Sequence, residues 1–148
     1  MSLPYLDRLD PARQAVFHKL AAFSDRFTLA CGTAIMLQIG HRESYDFDCF
    51  TPKQEEISPQ LLRKSKRVFG KNTSKILSTS EMLFVHTPER VEINFVWYPY
   101  KTLKPSVRSS SLSLYHLDDL TSSKAFTLGH RPQWRDYVDL FFLIKQNY

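Results

Sequence analysis

Residues 29–51 read LACGTAIMLQIGHRESYDFDCFT, and this run holds the clearest structural signals in the chain. Apolar residues precede Gly32, and a second apolar group recurs at helical spacing until Gly40. Beyond it, aspartates alternate with apolar residues, which is typical of a strand. The run predicts a strand over Phe27–Ala30, a tight turn at Gly32, a helix over Thr33–Ile39 and a second strand over Tyr45–Phe50.

The predicted turn at Gly32 would lead directly into the N-terminus of a helix. Such an end presents free backbone N–H groups and the positive end of the helix dipole, both of which favour a phosphate. The hydroxyl of Thr33 would be a further donor. An ordinary strand-to-helix turn is the alternative interpretation.

Asp46 and Asp48 lie two residues apart on the predicted strand, so both project from one face. Two neighbouring carboxylates repel each other unless a cation lies between them. Mg²⁺ commonly takes one or two carboxylates together with substrate phosphates. The pair therefore indicates a metal site, and an acidic, solvent-facing strand edge is the alternative.

A third acid could complete that site from another strand. Glu92 and Asn94 share one face of the predicted strand Arg90–Trp97. If this strand lies beside the aspartate strand, Glu92 could complete the metal site. Asn94 is the other residue at this place, and it cannot serve as a charged ligand. A solvated role for Glu92 is equally open.

Outward from this region the chain alternates helices and strands. The sequence predicts a mixed α+β fold, with a small sheet flanked by helices and a helical cap at the C-terminal end. The remaining predicted elements are a helix from Pro11, a helix over Pro59–Phe69, a meander of Lys75–Thr79, Met82–Thr87 and Arg90–Trp97, a connection over 99–113, and C-terminal helices up to Gly129 and over Gln133–Gln146 after a restart at Pro132.

The C-terminal helices carry a second group of charged residues. Asp136 and Asp139 are three apart and share one helix face. Lys124 could meet a phosphate, and Asp136 could orient Lys124 or an attacking hydroxyl. Arg131 and Arg135 belong to the same group. Salt bridges on the helix surface are the alternative interpretation.

Composition narrows the protein class. The 148 residues are 43% hydrophobic and 24% charged, which indicates one folded domain over 1–148, with a sheet-containing core over 1–100 and a helical part over 114–148. Four glycines exclude a Gly-rich phosphate loop, and two cysteines exclude a disulfide framework or a Cys-rich zinc site. With no signal sequence and no apolar run long enough for a membrane, the expected location is the cytoplasm.

The net charge of +5 is unevenly distributed. A basic surface favours polyanionic partners such as nucleotides or RNA. One cluster falls on and after the third predicted helix, where a solvated face is the alternative to RNA binding. Its members are Arg63, Lys64, Lys66, Arg67, Lys71 and Lys75.

Two strings in the chain, LACGTAIMLQIGHRESYDFDCFT and LDDLTSSKAFTLGHRPQWRDYVDLFFL, resemble the two signature blocks of the AbiEii-type nucleotidyltransferases. These toxin-like proteins of bacterial phage-defence and toxin–antitoxin systems have the minimal nucleotidyltransferase fold of the DNA polymerase β type. The resemblance implies that fold here. Cys31 replaces the first glycine of the family's Gly-Gly pair, and Arg135 replaces the usual lysine before Asp136.

The resemblance also implies roles for individual residues. The catalytic group would be Asp46, Asp48, Lys124 and Asp136; the nucleotide would be bound by Gly32, Thr33, Arg42 and Ser44; and the metal would be held by Asp46, Asp48 and Glu92. The implied cofactor is Mg²⁺ or Mn²⁺.

The implied reaction transfers a nucleoside monophosphate from an NTP to an RNA (tRNA) or protein acceptor and releases pyrophosphate. The implied partners are the NTP, the acceptor and a cognate antitoxin, with no membrane. A protein that keeps the fold without catalysis, and binds RNA or a protein partner, is the alternative.

Overall fold

Five strands and five helices make up the protein in a computed structural model that describes residues 3–130 and 133–148. This confirms the predicted α+β class. The helices are α1 (Pro11–Lys19), α2 (Cys31–Ile39), α3 (Pro59–Phe69), α4 (Leu117–His130) and α5 (Trp134–Lys145). The strands are β1 (Thr28–Ala30), β2 (Phe47–Thr51), β3 (Ser74–Ser78), β4 (Met82–His86) and β5 (Glu92–Trp97). Short 3₁₀ turns occur at Leu6–Arg8, Leu20–Phe23 and Gln54–Glu56.

The strands form one mixed sheet in the order β1-β2-β5-β4-β3. Its last three strands are the predicted meander, antiparallel throughout. β2 and β5 pair in parallel, with Asp48 opposite Asn94 and Phe50 opposite Val96. The sequence-based condition for a third acid, that these two strands are neighbours, is therefore met.

Local signals set several helix boundaries. The side chain of Asp10 accepts a hydrogen bond from the backbone N–H of Arg13 at 2.8 Å, and Pro11 occupies the first helical position of α1. Gly40 ends α2 in the left-handed region, at φ 63°. α3 begins at Pro59 as predicted, but the Ser58 side chain makes no capping hydrogen bond.

The hydrophobic core lies against one face of the sheet. Along β2, Phe47, Cys49 and Thr51 are buried in it, while the residues between them face the other way. Phe23 packs between Phe95 of β5 and Phe69 of α3, with ring centroids 5.2 and 5.7 Å away. The opposite face of the sheet is left for polar and aromatic side chains.

The predicted connection over 99–113 is irregular apart from a bridge between Val107 and Leu114, and Leu114 also bridges Leu29 of β1. It leads into α4 and α5, which pack on each other. Pro132, where we expected the chain to restart, and Arg131 lie outside the described residues. Among the helices within 3–130 and 133–148, none combines the length and the hydropathy that a membrane span needs.

Candidate active site

A cleft of about 1060 Å³ opens on the sheet face that points away from the core. Residues of β2, β4 and β5 on this face of the sheet form its floor. Side chains of α4 and of the start of α5 form its roof. The start of α2 and the segment 98–103 complete the walls. All the predicted site residues except Thr33 line this cleft: Gly32, Arg42, Ser44, Asp46, Asp48, Glu92, Lys124 and Asp136.

The acidic end of the floor is organised by one pair of strand neighbours. Asn94 donates from its side-chain amide to Asp48 at 3.0 Å and to Glu92 at 3.3 Å. Asp46 lies just before β2, on the same side as Asp48. The parallel pairing of β2 and β5 thus places Glu92 on the same side of the sheet as Asp46 and Asp48.

The two aspartates are energetically unfavourable as bare carboxylates. Burial raises the pKa of Asp46, and the negative charges of Glu92 and Asp48 raise it further. Burial also raises the pKa of Asp48, although the hydrogen bond from Asn94 and the charge of Lys124 oppose that rise. A cation between these groups would relieve the repulsion.

The donor set fits a hard divalent cation. Within the described ranges, 3–130 and 133–148, no group of three or more His, Cys, Asp or Glu side chains converges closely enough to hold a metal alone. Mg²⁺ does not require such a cage, because it takes one or two carboxylates and completes its shell with water and substrate phosphates. Asp46 and Asp48, with Glu92 nearby, supply oxygen ligands of this kind.

The start of α2 differs from the predicted glycine turn. β1 runs directly into the helix, which begins at Cys31 rather than Thr33, so Gly32 is a helical residue. The left-handed backbone at the junction, φ 60°, belongs to Cys31. A Cβ atom at Gly32 would collide with the guanidinium of Arg42, so a larger residue there would have to displace that side chain from Asp139. The first backbone N–H groups of α2 still lie beside the cleft.

Thr33 has its hydroxyl directed into the protein. It is buried, contacts the Ser44 hydroxyl at 2.8 Å and donates to the backbone carbonyl of Asp46. In this structure Thr33 therefore fixes the segment that carries Asp46, while Ser44 lies on the cleft wall.

Asp139 of α5 is the centre of a buried charged network. Its carboxylate accepts hydrogen bonds from Arg42 at 2.6 and 2.8 Å and contacts the ring nitrogen Nε2 of His41. The ammonium of Lys124 lies 2.8 Å from its second oxygen. These partners hold the pKa of Asp139 far below its usual range, although burial alone would raise it. The charge of Arg42 is thereby neutralised within the protein.

Lys124 is held between two carboxylates of α5. Its Nζ donates to Asp136 at 2.8 Å, and Asp139 lies at the same distance. Burial alone would lower the pKa of Lys124, but the two carboxylates outweigh it and raise that pKa. Asp136 also accepts the backbone N–H of Gln133 at the start of α5. The surface salt bridges considered from sequence are thus a buried arrangement at the cleft roof.

Sequence reasoning missed three features of the cleft. Asp139 was recognised only as a helix neighbour of Asp136, because its partners are distant in sequence. The exposed Arg135 acts through its positive charge on both Asp46 and Asp48, whose pKa values it lowers against the effect of burial. Four aromatic residues that line one end of the cleft had no sequence signal beyond a high aromatic content; they are Phe50, Tyr98, Tyr100 and Tyr115. The basic cluster around α3 contributes nothing to the cleft lining.

Comparison with known proteins places this cleft in context. JHP933 from Helicobacter pylori has the same fold, with a TM-score of 0.67 at 17% identity over 99% of this chain and 69% of that one. A second H. pylori structure, described as a candidate nucleotidyltransferase, gives a TM-score of 0.64 at 20% identity over 99% of this chain and 71% of that one. At this level of identity the likeness shows the fold.

The sequence itself matches at the family level. The uncharacterized protein aq_aa25 of Aquifex aeolicus (strain VF5) is 26% identical over 123 residues, which are 82% of this chain and 59% of that protein. The chain thus spans less than two thirds of that relative. The family description "Nucleotidyl transferase AbiEii toxin, Type IV TA system" matches residues 14–148, nearly the whole sequence. The chain therefore belongs to the AbiEii nucleotidyl transferase toxin family.

Proposed function

We propose that this protein transfers a nucleoside monophosphate from an NTP to an RNA, such as tRNA, or to a protein acceptor. An acceptor hydroxyl oxygen attacks the α-phosphorus, the bond from that phosphorus to the bridging oxygen of the β-phosphate breaks, and pyrophosphate leaves. The hydroxyl proton passes to solvent at the open side of the cleft. Positioning and electrostatic stabilisation supply most of the catalysis in phosphoryl transfer.

One observation carries the proposal. The acids of the β2–β5 pair and the Lys124–Asp136 pair of the C-terminal helices line the same cleft, beside the start of α2. The acids that suit a metal therefore face two cations, Lys124 and Arg135, whose charges act on Asp48 and which could meet phosphates. A cleft with only one of these two sets would bind a nucleotide poorly or leave its charge uncompensated.

Each group has a distinct task in this reaction. Asp46 and Asp48, with Glu92, would hold Mg²⁺ or Mn²⁺, which supplies neutralisation of the charge that develops on the phosphates. The backbone N–H groups at Gly32 would bind the β- and γ-phosphates. Lys124, positioned by Asp136, adds positive charge above them. Arg42 lies in the cleft wall and donates to Asp139, so its positive charge is compensated by that carboxylate and is not free to bind a phosphate.

The biological setting follows from the family. A type IV toxin–antitoxin system includes an antitoxin, so we propose a cognate antitoxin as a partner and phage defence as the role. We further propose a cytoplasmic location, because both cysteines, Cys31 and Cys49, are free thiols and suit a reducing compartment.

Replacing one metal-binding carboxylate tests the reaction. Asp46→Ala should abolish transfer of label from α-labelled NTPs to total tRNA or to protein in the presence of Mg²⁺, a loss of several kcal/mol of transition-state stabilisation. The fold should survive, because Asp46 lies outside the strands and relief of its repulsion offsets lost contacts. Circular dichroism checks the fold.

Asp25→Asn is the matched control. Asp25 is an exposed aspartate outside the cleft lining, so this variant should transfer at the wild-type rate. Full transfer by folded Asp46→Ala would remove the mechanism. Wild-type protein that neither transfers label nor binds Mg²⁺–NTP in calorimetry would favour the catalytically inactive binding module instead.

A further inference from the structure

The floor of the cleft changes character along the strands. Rows of paired residues cross β2, β5 and β4, and one row holds Asp48, Asn94 and Phe84. The next row toward the carboxyl ends of β2 and β5 holds Phe50, Val96 and Met82. The floor is thus acidic at one end and apolar at the other.

Four aromatic rings close the apolar end. Tyr98 continues β5, because its backbone N–H donates to the carbonyl of Thr51 at 2.8 Å. Its ring lies 4.7 Å from that of Phe50 and 4.9 Å from that of Tyr100, between centroids. Tyr115 packs edge-on to both Phe50 and Tyr98. Tyr100 is 63% exposed, so this cluster presents an accessible ring to the cleft.

The wall beyond these rings is held in place by α4. The carboxylate of Asp119 accepts the backbone N–H groups of Leu103 and Lys104 at 2.6 and 3.1 Å. The segment that carries Tyr100 and Lys101 is therefore tied to the cleft roof. The aromatic rings lie on a supported wall rather than on a free loop.

We propose that this aromatic end binds the nucleobase of the NTP, by stacking on Tyr98 and Tyr100. The inference rests on the proposed function, because it takes the phosphates to lie at the acidic end. It assigns Phe50, Tyr98, Tyr100 and Tyr115 to a base subsite, with Tyr98 and Tyr100 as the residues that contact the base.

The spacing suits one nucleotide. Along a strand, Phe50 lies about 7 Å beyond Asp48, and Tyr98 about 13 Å beyond Asn94. Phosphates held at the acidic end therefore leave the sugar above the Phe50 row and the base above the tyrosines. Flat aromatic rings bind any base through its π-face, so this subsite needs no hydrogen bonds to base edges.

The subsite is tested by comparing the binding of two ligands, one that carries a nucleoside and one that consists of phosphates alone. The probes are Mg²⁺ with a non-hydrolysable α,β-methylene NTP, and Mg²⁺ with inorganic tripolyphosphate, both measured by calorimetry. Tyr100→Ala should weaken NTP binding about tenfold, the size of one lost base–aromatic stack, and leave tripolyphosphate binding unchanged. Tyr98→Leu should act in the same direction.

Tyr137→Ala is the control, because Tyr137 is a half-exposed tyrosine of α5 outside the cleft lining. It should bind both ligands like wild type. Unchanged NTP binding by folded Tyr100→Ala and Tyr98→Leu overturns the base subsite and leaves the proposed function standing. An equal loss of binding of both ligands also overturns it. A wild-type protein that binds neither ligand overturns both proposals.

Discussion

Asp139 connects three parts of the molecule through one carboxylate. It has no solvent exposure, and its partners are His41 and Arg42 from the loop after α2 and Lys124 from α4. Since burying a lone charge is costly, the cations and the carboxylate stabilise one another only as a set. Asp139 is therefore a positioning residue for Lys124 and for the wall at Arg42.

Asp139→Asn should destabilise the protein by about 3 kcal/mol at pH 7. The amide keeps the size of the side chain but removes the negative charge that compensates Arg42 and Lys124. Urea unfolding followed by circular dichroism measures the free energy of unfolding. Asp25→Asn, an exposed change, should stay within about 0.5 kcal/mol of wild type. A loss below 1 kcal/mol for Asp139→Asn would contradict the role of this network.

At the scale of single residues, sequence patterns located the groups near each other in the chain. The alternation around Asp46 and Asp48 was enough to place both on one side of the sheet, although the strand begins one residue after Asp46. The role of Asp139 was not accessible, because its arginine partner lies 97 positions away. The hydroxyl of Thr33 was predicted to face a ligand, and only the packing of the 44–46 segment shows that it faces inward.

The pairing of β2 with β5 is the element that builds the acidic end. Asn94 lies opposite Asp48 and donates both side-chain hydrogens to carboxylates, while its buried Oδ1 accepts no hydrogen bond from the described residues. An amide at this place separates two acids that would otherwise repel each other. Its neutrality therefore matters as much as its hydrogen bonds.

Asn94→Asp should lower the free energy of unfolding by about 2 kcal/mol at pH 7 in EDTA, because two charge-assisted hydrogen bonds become a like-charge contact. Added Mg²⁺ should raise the melting temperature of this variant more than that of wild type, since a cation gains a further ligand. Thermal unfolding in EDTA and in Mg²⁺ provides the comparison.

Asn94→Ser is the matched control for this strand. It loses the same hydrogen bonds without adding charge, so its response to Mg²⁺ should resemble that of wild type. If Asn94→Asp were as stable as wild type in EDTA, the acids would not be close enough to share a cation.

Element boundaries were mostly predictable, and the start of α2 shows where prediction ended. The helix, its end at Gly40 and the preceding strand follow from spacing and capping rules. The glycine turn does not occur, because Cys31 takes the left-handed conformation and Gly32 lies inside the helix, against the guanidinium of Arg42. A contact with Arg42, ten positions away, cannot be predicted from the residues that immediately flank Gly32.

At the scale of the whole molecule, the sheet separates two environments. One face carries the aromatic core with α1 and α3, to which the buried side of α2 also belongs, and the other carries the cleft beneath α4 and the start of α5. Predicting the α+β class required only the order of elements. Predicting the cleft required the strand order and the return of α5 to the loop after α2, which depend on contacts between distant segments.

The contact of α5 with the loop after α2 is an ion pair between Asp139 and Arg42, so the stability that it provides should depend on pH. The pKa of Asp139 is lowered in the folded protein. A carboxyl group with a lowered pKa stabilises the folded state at pH values above its unfolded pKa, which is near 3.9. This stabilisation is lost as the pH falls further. Asp139→Asn lacks this contribution. The difference in unfolding free energy between wild type and Asp139→Asn should therefore be largest at pH 7 and shrink between about pH 5 and pH 2. Urea titrations of both proteins across this range measure it. A difference that stays constant would mean that Asp139 holds its partners through shape alone, and that charge does not connect the two ends of the fold.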